Sequence, residues 1–162
     1  MAYADSLNLV MIMNAIGGVS RLVLNYFADR TGTLTMFAPT VATASILMYC
    51  WAAVSSTPGL YGWASVSAIA ISGVQSLFPP SVAALTTDLQ KQGTRIGMVF
   101  TIVSFAVLIG PPIEGALITS MGGRYVAAQA FAGSSLVLGS VFLTVARAIK
   151  RRKLGEDLGA KV

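Results

Sequence analysis

The hydrophobic positions of this chain fall into runs long enough to cross a membrane, which takes about 20 mostly apolar residues. Residues 31–87 contain no charged side chain at all. At about 1.5 Å of rise per residue this run exceeds a single crossing severalfold, so it must turn back on itself. Ser55-Ser56-Thr57-Pro58-Gly59 supplies the turn, being built of residue types that favour one. The pattern predicts five spans, at about residues 7–27, 34–54, 60–85, 95–119 and 125–146. The predicted fold class is all-α, an integral membrane helical bundle of five transmembrane helices. The membrane domain covers residues 1–147 and a basic tail covers 148–162.

Composition narrows the function classes. Hydrophobic residues make up 55% of the chain and charged residues only 10%, whereas ordinary soluble domains carry about 25% charged residues. Eleven basic and six acidic side chains cannot coat a soluble globule of this size. Histidine is absent, which removes His-based triads, His proton relays and most zinc sites. The single cysteine, Cys50, forms no internal disulfide and no CxxC site. With no nucleophile–base pair, metal-ligand cluster or Gly-rich phosphate loop, the chain reads as a non-enzyme without cofactor or metal.

The net charge of +5 changes the picture only through its distribution. Arg147, Lys150, Arg151, Arg152 and Lys153 lie within seven positions near one end, which makes a tail rather than a nucleic-acid face. Its expected work is topological, with attraction to anionic lipid of about 1 kcal/mol per basic residue. With the tail inside, Arg30, Lys91, Arg95 and six tail residues including Lys161 share one side, against Arg124 alone on the other. This bias predicts a cytoplasmic C-terminus and an outer N-terminus. Met1–Ser6 lacks a basic region and contains Asp5, so no cleavable signal peptide is expected.

Within the spans, Arg21 is the most informative charge. It falls roughly 20 Å in from the outer end of the first span, where a charge costs several kcal/mol unless paired or wet. It reads either as an anchor for an anionic substrate group or as a residue that snorkels or pairs with Asp29. Asn14, two turns earlier on nearly the same face, lines the same cavity or makes a helix–helix contact. Pro79-Pro80 and Pro111-Pro112 interrupt the third and fourth spans, each pair freeing backbone carbonyls. Such breaks can line a substrate path. Glu114 is a candidate proton-coupling carboxylate or a solvated residue at the outer interface. Gly17, Gly18, Gly73, Gly93, Gly97, Gly110, Gly115, Ala128 and Ala132 are the small residues that let helices pack closely.

Four stretches carry a family resemblance. Asn14-Ala-Ile-Gly17, continuing through Ser20-Arg21 to Ala28-Asp29-Arg30-Thr-Gly32, resembles the eighth helix and following loop of the major facilitator superfamily. Gly73-Val-Gln-Ser-Leu-Phe-Pro79-Pro80, Gly93-Thr-Arg95-Ile-Gly97-Met98 and Ile109-Gly110-Pro111-Pro112-Ile-Glu-Gly115 are similar to helices ten and eleven. The branch that the chain looks most like is the fungal monocarboxylate porter-like one. It departs from that pattern at Leu24-Asn25, where Pro-Gly is usual, and at Ser20, where glycine precedes the arginine.

The resemblance implies an alternating-access secondary transporter for a small organic anion, a monocarboxylate, moved with or without a proton. It implies Arg21 and Asn14 as substrate-binding residues, Asp29, Arg30 and Arg95 as the gating loop motif, and the two proline pairs as breaks lining the path. It covers helices eight to twelve only, a partial C-terminal half. The expected partners are the lipid bilayer, the anion, and a missing N-terminal half or full-length homologue, without nucleic acid. Alone, the chain is expected to be inactive or partner-dependent, and a plasma membrane is expected in preference to an organelle. The rival expectation is a non-transporting truncated protein that associates with or regulates a full-length transporter.

Overall fold

A computed structural model describes residues 3–54, 56–86 and 88–159. Their regular structure is entirely helical: α1 (Tyr3–Thr31), α2 (Thr33–Trp51), α3 (Thr57–Ala84), α4 (Leu89–Ser120) and α5 (Val126–Gly159). All five are long and apolar enough to cross a membrane. Ser55 of the expected turn, Lys161, and the side chains of Lys150, Arg151 and Lys153 lie outside the described residues.

Local chemistry sets the turns. Gly32 alone separates α1 from α2, with φ at 93°, a conformation that costs a Cβ-bearing residue steric strain. Ser56 caps α3 by accepting from the Gly59 amide at 3.3 Å. Pro58 and Gly59 therefore open the helix instead of forming the loop. Proline's fixed φ suits the first helical turn. Gly122 and Gly123, at φ 63° and 87°, close α4.

Helix α4 begins six residues before the expected start at Arg95, because Asp88 caps it. The Asp88 carboxylate accepts from the Gln90 amide at 3.1 Å and pairs with Lys91 at 3.6 Å. Removing this cap in Asp88→Ala is expected to cost about 1 kcal/mol, confined to the start of α4. The check is amide exchange at Gln90, faster by roughly fivefold with the remaining helices unchanged.

The proline pairs do not break their helices. α3 runs through Pro79-Pro80 and α4 through Pro111-Pro112 without interruption. Each pair withdraws two N–H donors and leaves two carbonyls short of a partner. Unwinding the segment would unpair further backbone groups, which is dearer still where water is excluded. At the far end, α5 continues past Ala146 to Gly159, so the first part of the basic segment is a helical extension.

α1, α2 and α3 pack on one another, α5 packs on α2, and α4 lies at the edge against α3 and α5. Ala28, Phe37, Val41 and Leu77 form the fully buried core, fringed by Met36, Val74, Phe78, Leu136 and Leu143. Elsewhere the contacts are made by small residues, as expected where lipid replaces water as the competing solvent. Gly17 meets Ser72, Gly73 sits between Leu24 and Thr40, and Gly133 lies under the Tyr49 ring. The Ser45 hydroxyl donates to the Gly133 carbonyl at 3.1 Å. Gly18, Gly93, Gly97, Gly110 and Gly115 face open space, so only part of the small-residue set is spent on packing within this chain.

Two aromatic groups tie the bundle. Phe78 lies edge-on to Phe100 at 5.6 Å, which attaches α4 to α3. Near the α2–α3 turn, Trp51 stacks on Trp63 at 4.9 Å with Tyr125 beside it, and the Trp63 indole donates to the Leu47 carbonyl at 2.7 Å. Trp and Tyr with apolar bodies and polar tips suit a membrane interface.

Candidate substrate cleft

The helical spacing of two segments builds one polar cleft between α1 and α3. From α1 come Val10, Met13, Asn14 and Arg21; from α3 come Ala68, Ile71, Ser72 and Gln75. Positions 68, 71, 72 and 75 are one face of a helix. The contact between Gly17 and Ser72 lies midway along α1 between Asn14 and Arg21, and it holds the helices close enough for side chains to meet. The cleft measures about 210 Å³.

Its distinguishing bond joins the two helices. Arg21 Nη2 donates to Gln75 Oε1 at 2.7 Å, across 54 positions of sequence. Among the described residues no carboxylate pairs with Arg21, so the expected alternative of a pair with Asp29 is not formed. The guanidinium is thus held by a neutral group, and both partners of the bond are exposed. Asn14 donates from Nδ2 to the Val10 carbonyl at 2.9 Å within its own helix, leaving its side-chain oxygen uncommitted.

The other expected site residues lie apart. Asp29 and Arg30 are exposed at the end of α1, where the Arg30 guanidinium sits over the Tyr26 ring at 4.6 Å. Arg95 is exposed on α4, which makes no contact with α1, so the three gating-motif residues are not brought together within this chain. Pro79 and Pro80 lie one turn beyond Gln75, and Pro111 and Pro112 are exposed on α4. None of the four lines the cleft. Glu114 is half-buried on α4, also away from it.

Two larger hollows flank α1 and are apolar. One of about 550 Å³ is lined by Ala15, Ile16, Val19 and Val23 with Ser20 and Ile69. The other, about 310 Å³, opens among α1, α2 and α3 around Met36, Pro39 and Leu47. Neither contains a charged side chain.

Gln75 and Ser72 are absent from the expected site. The signal for Gln75 was in the chain: it is the sole amide side chain between Thr31 and Thr87. An amide in an otherwise apolar span costs free energy unless it finds a partner.

Comparison with known proteins gives the family. The model of the Major Facilitator Superfamily matches residues 3–161. An MFS-type transporter of Gibberella zeae is 43% identical over 147 residues, covering 91% of this chain and 33% of the relative. A second, from Gibberella moniliformis, is 36% identical over 140 residues, 86% of this chain and 34% of the relative. The aspyridones efflux protein of Emericella nidulans is 30% identical over 141 residues, 87% of this chain and 29% of the relative. The chain thus spans about a third of the length of the curated relatives it matches. These relatives are transporters, not enzymes, and the five apolar helices make the chain a multi-pass integral membrane protein. Over nearly its whole length the chain belongs to the Major Facilitator Superfamily.

Proposed function

We propose that this chain is the C-terminal part of a secondary transporter that moves a small organic anion, a monocarboxylate, by alternating access. The observation that carries the reading is the uncompensated Arg21 charge in a cleft whose remaining walls include Val10, Met13, Ala68 and Ile71. A fixed cation among apolar side chains recognises an anionic group on an apolar body. A neutral substrate would leave that charge without a counter-charge.

The names of two relatives, the aspyridones and agnestins efflux proteins, support outward movement. The resemblance of the Arg21 segment supports the monocarboxylate porter-like branch. The remaining helices of such a transporter form the other wall of the path, and Asp29, Arg30 and Arg95 meet their partners there. Charge distribution supports a cytoplasmic C-terminus, and we place the protein in the plasma membrane.

The test is exchange in proteoliposomes made from the protein extracted from its own membrane, with any chains that remain bound to it. Entry of a labelled monocarboxylate is expected to accelerate when the vesicles are preloaded with the same unlabelled anion. Preloading with its primary amide is expected to have no effect. Acceleration by both, or by neither, contradicts the reading.

A further inference from the structure

We propose that Gln75 is the charge-selectivity residue of the Arg21 cleft. It orients the guanidinium without neutralising it, and so determines that the cleft takes anions in preference to neutral molecules of the same shape. The proposal rests on the reading of the cleft as a substrate site.

The geometry of the pair carries the argument. A guanidinium has five N–H donors and no acceptor, so the amide group facing it must be the oxygen. The short bond from Arg21 Nη2 to Gln75 Oε1 therefore fixes the amide, and the Gln75 NH₂ group, on the same amide carbon, stays outside that bond. No described residue takes that group as a donor. The cleft then presents the remaining guanidinium N–H groups and an amide NH₂ side by side, all donors.

A glutamate at this position would be nearly isosteric and would make a stronger, charge-assisted bond to Arg21. It would also cancel the charge and supply oxygens that compete with those of an incoming anion. A leucine would leave the guanidinium free to rotate. Glutamine is the side chain of this size that accepts from Arg21, keeps the net charge of the cleft at plus one and offers further donors to the ligand. Val10, Met13, Ala68 and Ile71 in the same cleft of about 210 Å³ suit an anion with a compact apolar body.

The experiment measures binding of labelled benzoate and labelled benzamide to the purified protein, with any bound chains retained, by equilibrium dialysis. The readout is the ratio of the two affinities, which a general loss of stability does not change. Gln75→Glu is expected to lower the benzoate-to-benzamide ratio about 100-fold by placing a carboxylate against the arginine. The exchanged pair, Arg21→Gln with Gln75→Arg, keeps both groups and the bond between them, and is expected to retain the preference for benzoate.

An unchanged ratio in Gln75→Glu, with the ratio lost in Arg21→Gln alone, overturns the role of Gln75 and leaves the substrate site standing. An unchanged ratio in Arg21→Gln overturns both. Should Gln75→Glu fail to fold, Gln75→Leu decides: a fall in the ratio supports the role, and an unchanged ratio overturns it.

Discussion

Arg21→Gln is expected to weaken binding of a monocarboxylate by about 2–5 kcal/mol, a fall of roughly 30- to 4,000-fold in affinity. The cleft is open along one side in this chain, which puts the effect toward the lower end. The reason is directional. The variant keeps an amide that can bond to Gln75, so the helices stay joined, but the positive charge is gone. Arg21→Lys keeps the charge and gives up the planar fork, and a loss of about tenfold is expected. The order of effects, glutamine far worse than lysine, separates charge recognition from packing. Calorimetric titration of the purified protein with the anion reads all three affinities. Equal losses in the two variants would mean that the guanidinium acts by shape rather than by charge.

A large structural effect is expected at Gly73, two residues before Gln75. A Cβ added there would lie 2.5 Å from Leu24 Cδ1 and 3.0 Å from Thr40 Cγ2. Leu24 is long and can yield, but Thr40 is β-branched and stiff at its first torsion. Its hydroxyl is also committed to the Met36 carbonyl at 2.7 Å. Gly73→Val therefore pushes α3 away from α1 and α2 together, at about 3 kcal/mol. The same displacement draws Gln75 away from Arg21, so stability and anion binding fall together. Gly18→Val is the control, because nothing lies within 4 Å of a Cβ there. Its effect is expected within about 0.5 kcal/mol. Unfolding in mixed micelles titrated with a denaturing detergent measures both. Comparable stability in the two variants would show that the α1–α3 contact is not built on Gly73.

The chemistry of single residues along the chain was legible, and the pairing of residues across helices was not. Five apolar helices follow from long runs with few or no charges, because a lipid-facing helix needs little else. The start of α4 did not follow from hydropathy, since a capping aspartate outweighs the five polar or small residues after Leu89 in deciding where a helix begins. The proline pairs mark missing hydrogen bonds, yet the cost of unwinding keeps the helices whole.

In the cleft, Arg21 announces itself, being a charge in an apolar span. Gln75 does not, since its meaning comes from an arginine 54 positions away and no spacing within one helix tells which helix it faces. The same limit applies to the glycines. Gly17 and Gly18 are neighbours in the chain, but the first is pressed against Ser72 and the second faces open space. Likewise Arg95 belongs with Asp29 and Arg30 by motif, while the fold sets it on a helix that does not touch α1.

The central claim is that Arg21 holds the anion. Its most direct test is a dipolar-recoupling distance by solid-state NMR, from ¹⁵N-labelled arginine side chains of the membrane-reconstituted protein to ¹³C-carboxyl benzoate. A guanidinium-to-carboxyl separation of about 4 Å or less is expected, with the recoupling lost in Arg21→Lys. No recoupling in the unaltered protein, or recoupling that persists in Arg21→Lys, would contradict it.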